Sequence, residues 1–389
     1  MTPLRVGVLG AGAIAPPYYM AMQAWPQLDL RCCASKGMAS AEAAAAKYGI
    51  AAVRFDAMLA DPEIDVILNL TPVQAHFATS KAILSAGKHL YSEKPLAATL
   101  AEAAELIALA RAKGLRIGCA PDTFFGSAHQ AARSAIDAGS IGTPVGGALF
   151  FGNAGVEMWH PKPEPFYSTG GGPVSDHSPY YLSQAINLLG PVASVSAAGA
   201  RPFPLRTMRN AARAGEVFET QVDTSIAGTL TFANGTLVTL AMSWDVGPHG
   251  RAPIEIYGSE GTLHNPDPNW SDGKVTLQTR EGKRELDHSG RPFHKPTMIN
   301  FFGIEVGYYR LCGLADMADA IADNRPHRAS ADMALHVMDV IEAIRLSGET
   351  GQRVDLKTSC ERPAPIADDI AGAANIDPFG GMLDARKLF

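Results

Sequence analysis

The stretch Leu4-Arg5-Val6-Gly7-Val8-Leu9-Gly10-Ala11-Gly12-Ala13-Ile14-Ala15 joins a short apolar run to a glycine-rich turn. The run predicts a strand over Leu4–Leu9, and the turn reads G-x-G-x-x-A. Gly10 permits the tight turn, and Gly12 lets backbone come against a pyrophosphate. Ala15 keeps the following helix, expected over 13–24, close to the strand, so that its N-terminal N–H groups and dipole face the phosphates. Pro16 and Pro17 fit that helix only near its first turn. The motif predicts dinucleotide binding at Gly10, Gly12, Ala13 and Ile14; a purely structural turn is the bland alternative.

Outward from this motif, apolar runs at 28–34, 65–70, 89–92 and 115–119 alternate with helical stretches at 40–48, 74–85 and 100–113. Strands that are apolar on both faces and alternate with helices argue for a parallel, doubly wound sheet. About 20 residues past the glycines, an NAD site would carry an acid for the ribose hydroxyls. Here Ser35 stands at that position with Lys36 beside it. Loss of the carboxylate removes repulsion of a 2′-phosphate and the lysine adds attraction, which tilts the cofactor toward NADP while leaving NAD open.

Beyond Pro121 the pattern changes. Helices are expected at 127–138, 179–189, 302–322 and 331–347, a strand at 145–151 and a run of alternating strands over 192–286, with Asn234-Gly235 as a hairpin turn. The chain therefore reads as an α/β N-terminal Rossmann domain over 1–121 and an α+β C-terminal domain over 122–365. The second domain is expected to hold a large, mostly antiparallel open sheet, followed by a tail over 366–389.

Composition narrows the chemistry. The 389 residues carry 33 Lys+Arg against 39 Asp+Glu, a net charge of −6, with 47% hydrophobic residues. No basic cluster suits nucleic acid, and no apolar stretch approaches the roughly 20 residues that span a bilayer. No signal-peptide pattern opens the sequence. The five cysteines, Cys32, Cys33, Cys119, Cys312 and Cys360, show no C-x-x-C pair and read as small hydrophobes in a reducing compartment. A cytoplasmic enzyme of small molecules is expected. No metal site is expected, because Glu157, His160, Asp176 and His177 lack ligand spacing.

Two segments at the carboxyl ends of strands carry further chemistry: Asn69-Leu70-Thr71-Pro72 followed by His76, and Ser92-Glu93-Lys94-Pro95-Leu96. With the glycine turn, the T-P-x-x-x-H and E-K-P segments resemble the Gfo/Idh/MocA family, which includes glucose–fructose oxidoreductase and inositol 2-dehydrogenase. The resemblance continues at Gly170-Gly171-Gly172-Pro173-Val174-Ser175-Asp176-His177-Ser178-Pro179-Tyr180, similar to the family's G-G-G-x-x-x-D-x-x-x-H. Tyr180 stands in place of the last His, a departure from the pattern.

The resemblance implies that Lys94 contacts the oxygen undergoing hydride transfer, that Asp176 orients Lys94 or holds a substrate hydroxyl, and that Tyr180 replaces the family His. Asn69, Thr71, Pro72, His76 and Glu93 fall on the cofactor side. Glu93 either bonds ribose or fixes the Lys94 backbone. His177, one helical position past Asp176, is expected to point away from that face, but it stays a candidate substrate contact that would help Lys94 in place of the family His. Trp159, His160 and Tyr167, in a Pro-rich aromatic loop, are candidate walls for a sugar or polyol substrate. The implied activity is an NAD(P)-dependent oxidoreductase acting on a secondary alcohol or ketone of a sugar, cyclitol or polyol, as a homo-dimer or homo-tetramer through the C-terminal sheet. Alternatives are a redox-neutral, glycoside-cleaving or eliminating enzyme with transient oxidation, and an NAD(P)-sensing regulator.

Overall fold

The computed structural model describes residues 2–210, 213–366 and 376–387. Strands β1 (Leu4–Leu9), β2 (Leu28–Ala34), β3 (Ala51–Ala52), β4 (Val66–Asn69), β5 (His89–Ser92) and β6 (Ile117–Cys119) alternate with helices α1 (Ala15–Met22), α2 (Met38–Tyr48), α3 (Phe55–Ala60), α4 (Val73–Ser85) and α5 (Leu100–Ala112). The strands pair in parallel in the order β3-β2-β1-β4-β5-β6.

Side chains alternate between the two faces of this sheet. Val6, Val8, Val66 and Leu68 pack with Tyr18 and Met22 of α1, whereas Leu9, Ile67, Leu90 and Ile117 meet Leu84 and Leu106 of α4 and α5. Both faces are covered over Val6–Leu9, Cys32–Ala34 and Val66–Leu68, which is why those stretches read as apolar runs, whereas Arg5, Asp29 and Arg31 sit in the less buried first halves of β1 and β2. The strand order reverses between β1 and β4, where open α/β sheets leave a crevice for ligands. Helix α1 starts at Ala15, two residues later than expected, because the two prolines fit only a first turn.

The second half contains α6 (Ser127–Asp137), β7 (Pro144–Gly152), α7 (Pro173–Asp176), α8 (Ser178–Leu189), β8 (Val192–Ala200), β9 (Leu205–Thr207), β10 (Val217–Glu219), β11 (Ser225–Phe232), β12 (Leu237–Ser243), β13 (Ile254–Gly258), β14 (Gly261–Asn265), β15 (Thr276–Thr279), β16 (Gly282–Glu285), β17 (Met298–Ile299), β18 (Glu305–Val306), α9 (Cys312–Ala322), α10 (Ala331–Thr350), β19 (Val354–Asp355) and β20 (Leu383–Asp384). Nine of these strands form a sheet in the order β16-β15-β14-β13-β7-β12-β11-β8-β19. It is antiparallel except for the β7–β12 pair. One face, with Leu149, Val238, Leu240, Ile256 and Leu230, packs into the main core beside Leu182 and Ile186 of α8. The other face exposes Leu237 and Tyr257.

Helix α10 and the segment just before it tie the halves together. Asp332 pairs with Arg111 of α5 at 2.6 Å, and the Cys119 N–H at the end of β6 donates to the Ala329 carbonyl at 3.1 Å.

The helix expected over 302–322 is corrected to Cys312–Ala322. Residues before it form the short β17–β18 hairpin, because the Asn300 side chain accepts from the N–H groups of Phe302 and Ile304 at 2.9 and 3.0 Å and bends the chain instead. Leu311, at φ 73°, then sets the helix start. In the tail, β20 pairs in parallel with β17, and Phe379 stacks on Tyr308 at 5.9 Å. Among the described residues no helix is long and apolar enough to cross a membrane.

Candidate active site

The glycine turn lies at the carboxyl end of β1, at the crevice. Gly10 adopts φ 123°, and a Cβ there would come within 2.7 Å of the Leu70 carbonyl oxygen that closes β4; no L side chain fits. A Cβ on Gly12 would meet no atom within 4 Å, and Gly12 and Ala13 are exposed while Ile14 is half-buried. The turn thus presents open backbone N–H groups at a helix start, a cradle that fits a dinucleotide pyrophosphate. Ser35 and Lys36 follow β2 on the same edge, Ser35 half-buried and Lys36 exposed. Such a coenzyme supplies hydride exchange at its nicotinamide when bound.

The β4 turn is organised from within. Buried Asn69 donates to Thr79 and Ser80 at 2.9 and 3.0 Å and accepts from the Thr71 hydroxyl at 2.7 Å. Buried His76 faces two carbonyls, its Nδ1 at 2.7 Å from Pro95 O and its Nε2 at 2.7 Å from Thr71 O. It therefore clamps the Thr71-Pro72 turn to the Lys94-Pro95 turn, and both ring nitrogens are engaged by backbone.

Glu93 is bound on both carboxylate oxygens. One carboxylate oxygen accepts from the Lys94 N–H at 2.9 Å. The other accepts from the Tyr18 hydroxyl of α1 and lies 3.8 Å from Arg310. Arg310, buried between the rings of Tyr18 and Tyr308 at 5.4 and 4.5 Å, went unnoticed in the sequence because its segment read as helix. Only the aromatic pair Tyr308-Tyr309 before it hinted at a lined cation.

The Lys94 Nζ donates to the Asp176 carboxylate at 2.9 Å and to the Asp176 carbonyl at 3.0 Å, across 82 residues of chain. The two side chains keep 19% and 27% of their surface exposed, so the pair is reachable from the cleft. The ammonium also sits 5.5 Å from the centre of the Tyr180 ring. His177 does not point away: α7 ends at Asp176 and α8 begins at Ser178, so the helix breaks at His177 and swings its ring inward. Its Nδ1 comes within 3.4 Å of Asp176, and its ring stacks on Phe151 at 3.8 Å.

Of the aromatic loop, Trp159 and His160 are half-buried and in edge contact at 5.2 Å, with Trp159 stacked on Phe301 at 4.8 Å. Tyr167 is no wall of the cleft. It is fully buried and donates its hydroxyl to Glu157, which is itself bound by buried Arg206.

Residues 4–120 match a family model described as an oxidoreductase family with an NAD-binding Rossmann fold, and residues 129–264 match the GFO/IDH/MocA C-terminal domain. A dTDP-3,4-didehydro-2,6-dideoxy-alpha-D-glucose 3-reductase of Streptomyces antibioticus is 31% identical over 67% of this chain and 74% of its own length. The chain belongs to the GFO/IDH/MocA oxidoreductase family.

A D-glucoside 3-dehydrogenase of Escherichia coli strain K12 is 27% identical over 91% of this chain and 98% of that one. The chain spans less than half of two further relatives: 41% of the Streptomyces violaceoruber 3-reductase, at 38% identity over 36% of this chain, and 46% of the uncharacterised E. coli oxidoreductase YhhX. The levoglucosan dehydrogenase structure with NADH and levoglucosan superposes with a TM-score of 0.77 at 22% identity, over 92% of this chain and all of that one, and shares the fold.

In this GFO/IDH/MocA chain the charges of the central pair reinforce each other. Burial alone would pull the Lys94 ammonium down, but the charge and hydrogen bond of Asp176, joined by Tyr180 and Glu93, together outweigh it and hold Lys94 above its ordinary value. Burial would push Asp176 up, yet Lys94 and His177 hold it at about 2. Burial pushes His177 down to about 4 despite Asp176, so its imidazole is neutral at neutral pH. The pair therefore rests as ammonium and carboxylate: Lys94 holds its proton tightly, and must lose it before it can accept another.

Asp176→Asn reverses that balance. With the carboxylate gone burial dominates, Lys94 loses its proton at lower pH, and the rising limb of kcat/KM against pH for alcohol oxidation moves to lower pH by about 1–3 pH units. A steady-state pH profile checks this; an unmoved or upward-shifted limb contradicts it.

Proposed function

We propose that the chain transfers hydride between NAD(P) and a secondary alcohol or ketone of a sugar, cyclitol or related polyol, with Lys94 and Asp176 at the reacting oxygen. The Lys94–Asp176 pair carries this reading: a 2.9 Å ion pair open to the cleft at the end of β5, one strand from the glycine turn's crevice. Lys94 gives a proton to the carbonyl oxygen during reduction, or takes the hydroxyl proton during oxidation. Asp176 holds the Lys94 Nζ in place through its carboxylate and its carbonyl. Glu93 fixes the Lys94 backbone, and His76 fixes the turn that follows. The Tyr180 hydroxyl and neutral His177 are the polar groups flanking the pair, with Trp159 and His160 farther out along the loop. Relatives named for glucoside dehydrogenation and sugar 3-reduction support a sugar ring as the substrate. Residues 1–121 form the coenzyme unit and 122–365 the substrate unit. The open sheet face around Leu237 and Tyr257 seats a second copy, which light scattering tests as a mass twice that of the chain.

For the coenzyme, Ser35 and Lys36 favour NADP. Following nicotinamide absorbance with a polyol and glycoside panel tests both parts of the reading. Ser35→Asp with Lys36→Ala should raise the NAD-over-NADP ratio of kcat/KM by about tenfold or more, since an acid repels the 2′-phosphate and the attracting cation is gone. A ratio that stays or falls sinks the coenzyme preference; no absorbance change with any substrate sinks the activity.

A further inference from the structure

Lys94 and Asp176 line a cavity of about 590 Å³ that reaches well past them. Its apolar lining comes from Met333, Val337 and Ile341 of α10, from Leu96 and Leu100 leading into α5, and from Phe166. Met333, Val337 and Ile341 are spaced four residues apart and form a stripe about 12 Å long on one face of the helix; Met333 and Val337 are nearly buried, and Ile341, with Ala334 and Met338 beside the stripe, is more open to the cavity. Besides Lys94 and Asp176, the charged side chains on the lining are Glu342 and Arg345, both at the far end of that stripe.

The chemistry of this lining selects its occupant. Pockets of roughly 300–1,000 Å³ take drug-sized ligands, more than one hexose ring needs. None of Gly10–Ala15 lines the cavity, so the pyrophosphate end of the coenzyme does not account for it. Gln74, Thr99, Thr169, Ser175, Ser183 and Ser330 also line the cavity, but none of them belongs to the α10 stripe, where a second sugar ring would bury hydroxyls at a desolvation cost. An apolar or aromatic group would bury there without one.

We infer that the α10 groove is an aglycone subsite: the substrate is a sugar carrying an apolar, aromatic-sized substituent that lies along Met333, Val337 and Ile341 while its ring meets Lys94 and Asp176. This rests on the reading of Lys94 and Asp176 as the reacting centre.

The test compares phenyl and naphthyl glycosides with the methyl glycoside of the same sugar, in both anomers, by kcat/KM and by calorimetric Kd. The subsite predicts a preference of at least tenfold for the aryl compounds, expressed mainly in KM. Met338→Glu, which puts a charge beside the stripe, and Ala334→Trp, which fills the groove, should each bring the aryl-to-methyl ratio toward one. The two variants act by different means, and a thermal melt identifies one that fails to fold. Equal efficiency for aryl and methyl glycosides in the parent protein overturns the subsite while leaving the oxidoreductase reading intact. If no sugar turns over, that reading fails, and the calorimetric ratio still decides the groove: tenfold tighter aryl binding supports it, and equal binding overturns it.

Discussion

Replacing Lys94 by methionine should lower kcat for sugar oxidation and for ketone reduction by roughly 100- to 10,000-fold, the usual worth of a positioned proton donor or acceptor. Methionine keeps much of the stem and its packing but removes the ammonium that Asp176 holds at 2.9 Å. The loss falls on both directions, because the same nitrogen gives the proton in one and takes it in the other. Coenzyme affinity should change far less, since the glycine turn at Gly10–Ala15 is untouched; fluorescence titration separates the two effects. Without the cation, burial also pushes the Asp176 carboxyl up from about 2, so any residual activity acquires a new dependence on acid pH. Activity within threefold of the parent would remove Lys94 from the reacting centre.

Arg206→Met should cost about 3–5 kcal/mol of stability, the usual penalty for breaking a buried ion pair from one side. The Arg206 guanidinium lies between two carboxylates, Glu157 at 2.8 Å and Asp245, all nearly buried. It also donates to the Trp244 carbonyl at 2.9 Å. Asp245 is further bound by Thr224 and Ser225 at 2.7 Å each, and Glu157 by Tyr167. Removing the cation leaves two buried carboxylates with hydroxyl donors alone. Arg206→Lys should recover part of the loss, since it restores the charge without the planar fork. Urea unfolding checks this, and a loss under 1 kcal/mol would show that the network contributes little. Because Glu157 begins the turn into Trp159 and His160, the substrate KM should rise in Arg206→Met as well.

The first sheet was legible because parallel strands covered on both faces leave an unmistakable record: Val6 and Val8 serve one core, Leu9 the other, and nothing polar interrupts them. The two-residue strand Ala51–Ala52 and the six-residue helix Phe55–Ala60 left no such record, being too short for a period to develop. The pairing of Lys94 with Asp176 was legible through motif order, since both segments fall at ends of elements that meet at the crevice. The inward turn of His177 was not, because spacing arguments assume an unbroken helix and the chain breaks at that residue. Tyr167 was misplaced for a related reason: an aromatic in a Pro-rich loop resembles a pocket wall until its buried hydroxyl partner, Glu157, is known. Arg310 and Arg206 are each held by residues distant in sequence, Tyr18 and Glu93 for one and Glu157 and Asp245 for the other. No local pattern announces such a contact.

Hydride transfer itself is most directly tested by isotope. A sugar substrate carrying deuterium at its ring carbons is turned over by the parent enzyme, and the mass of the recovered nicotinamide coenzyme is measured. The Lys94–Asp176 account predicts one deuterium in each reduced coenzyme formed, with the labelling rate lowered by roughly 100- to 10,000-fold in Lys94→Met. Consumption of the sugar with every ring deuterium retained and the coenzyme unlabelled would contradict it.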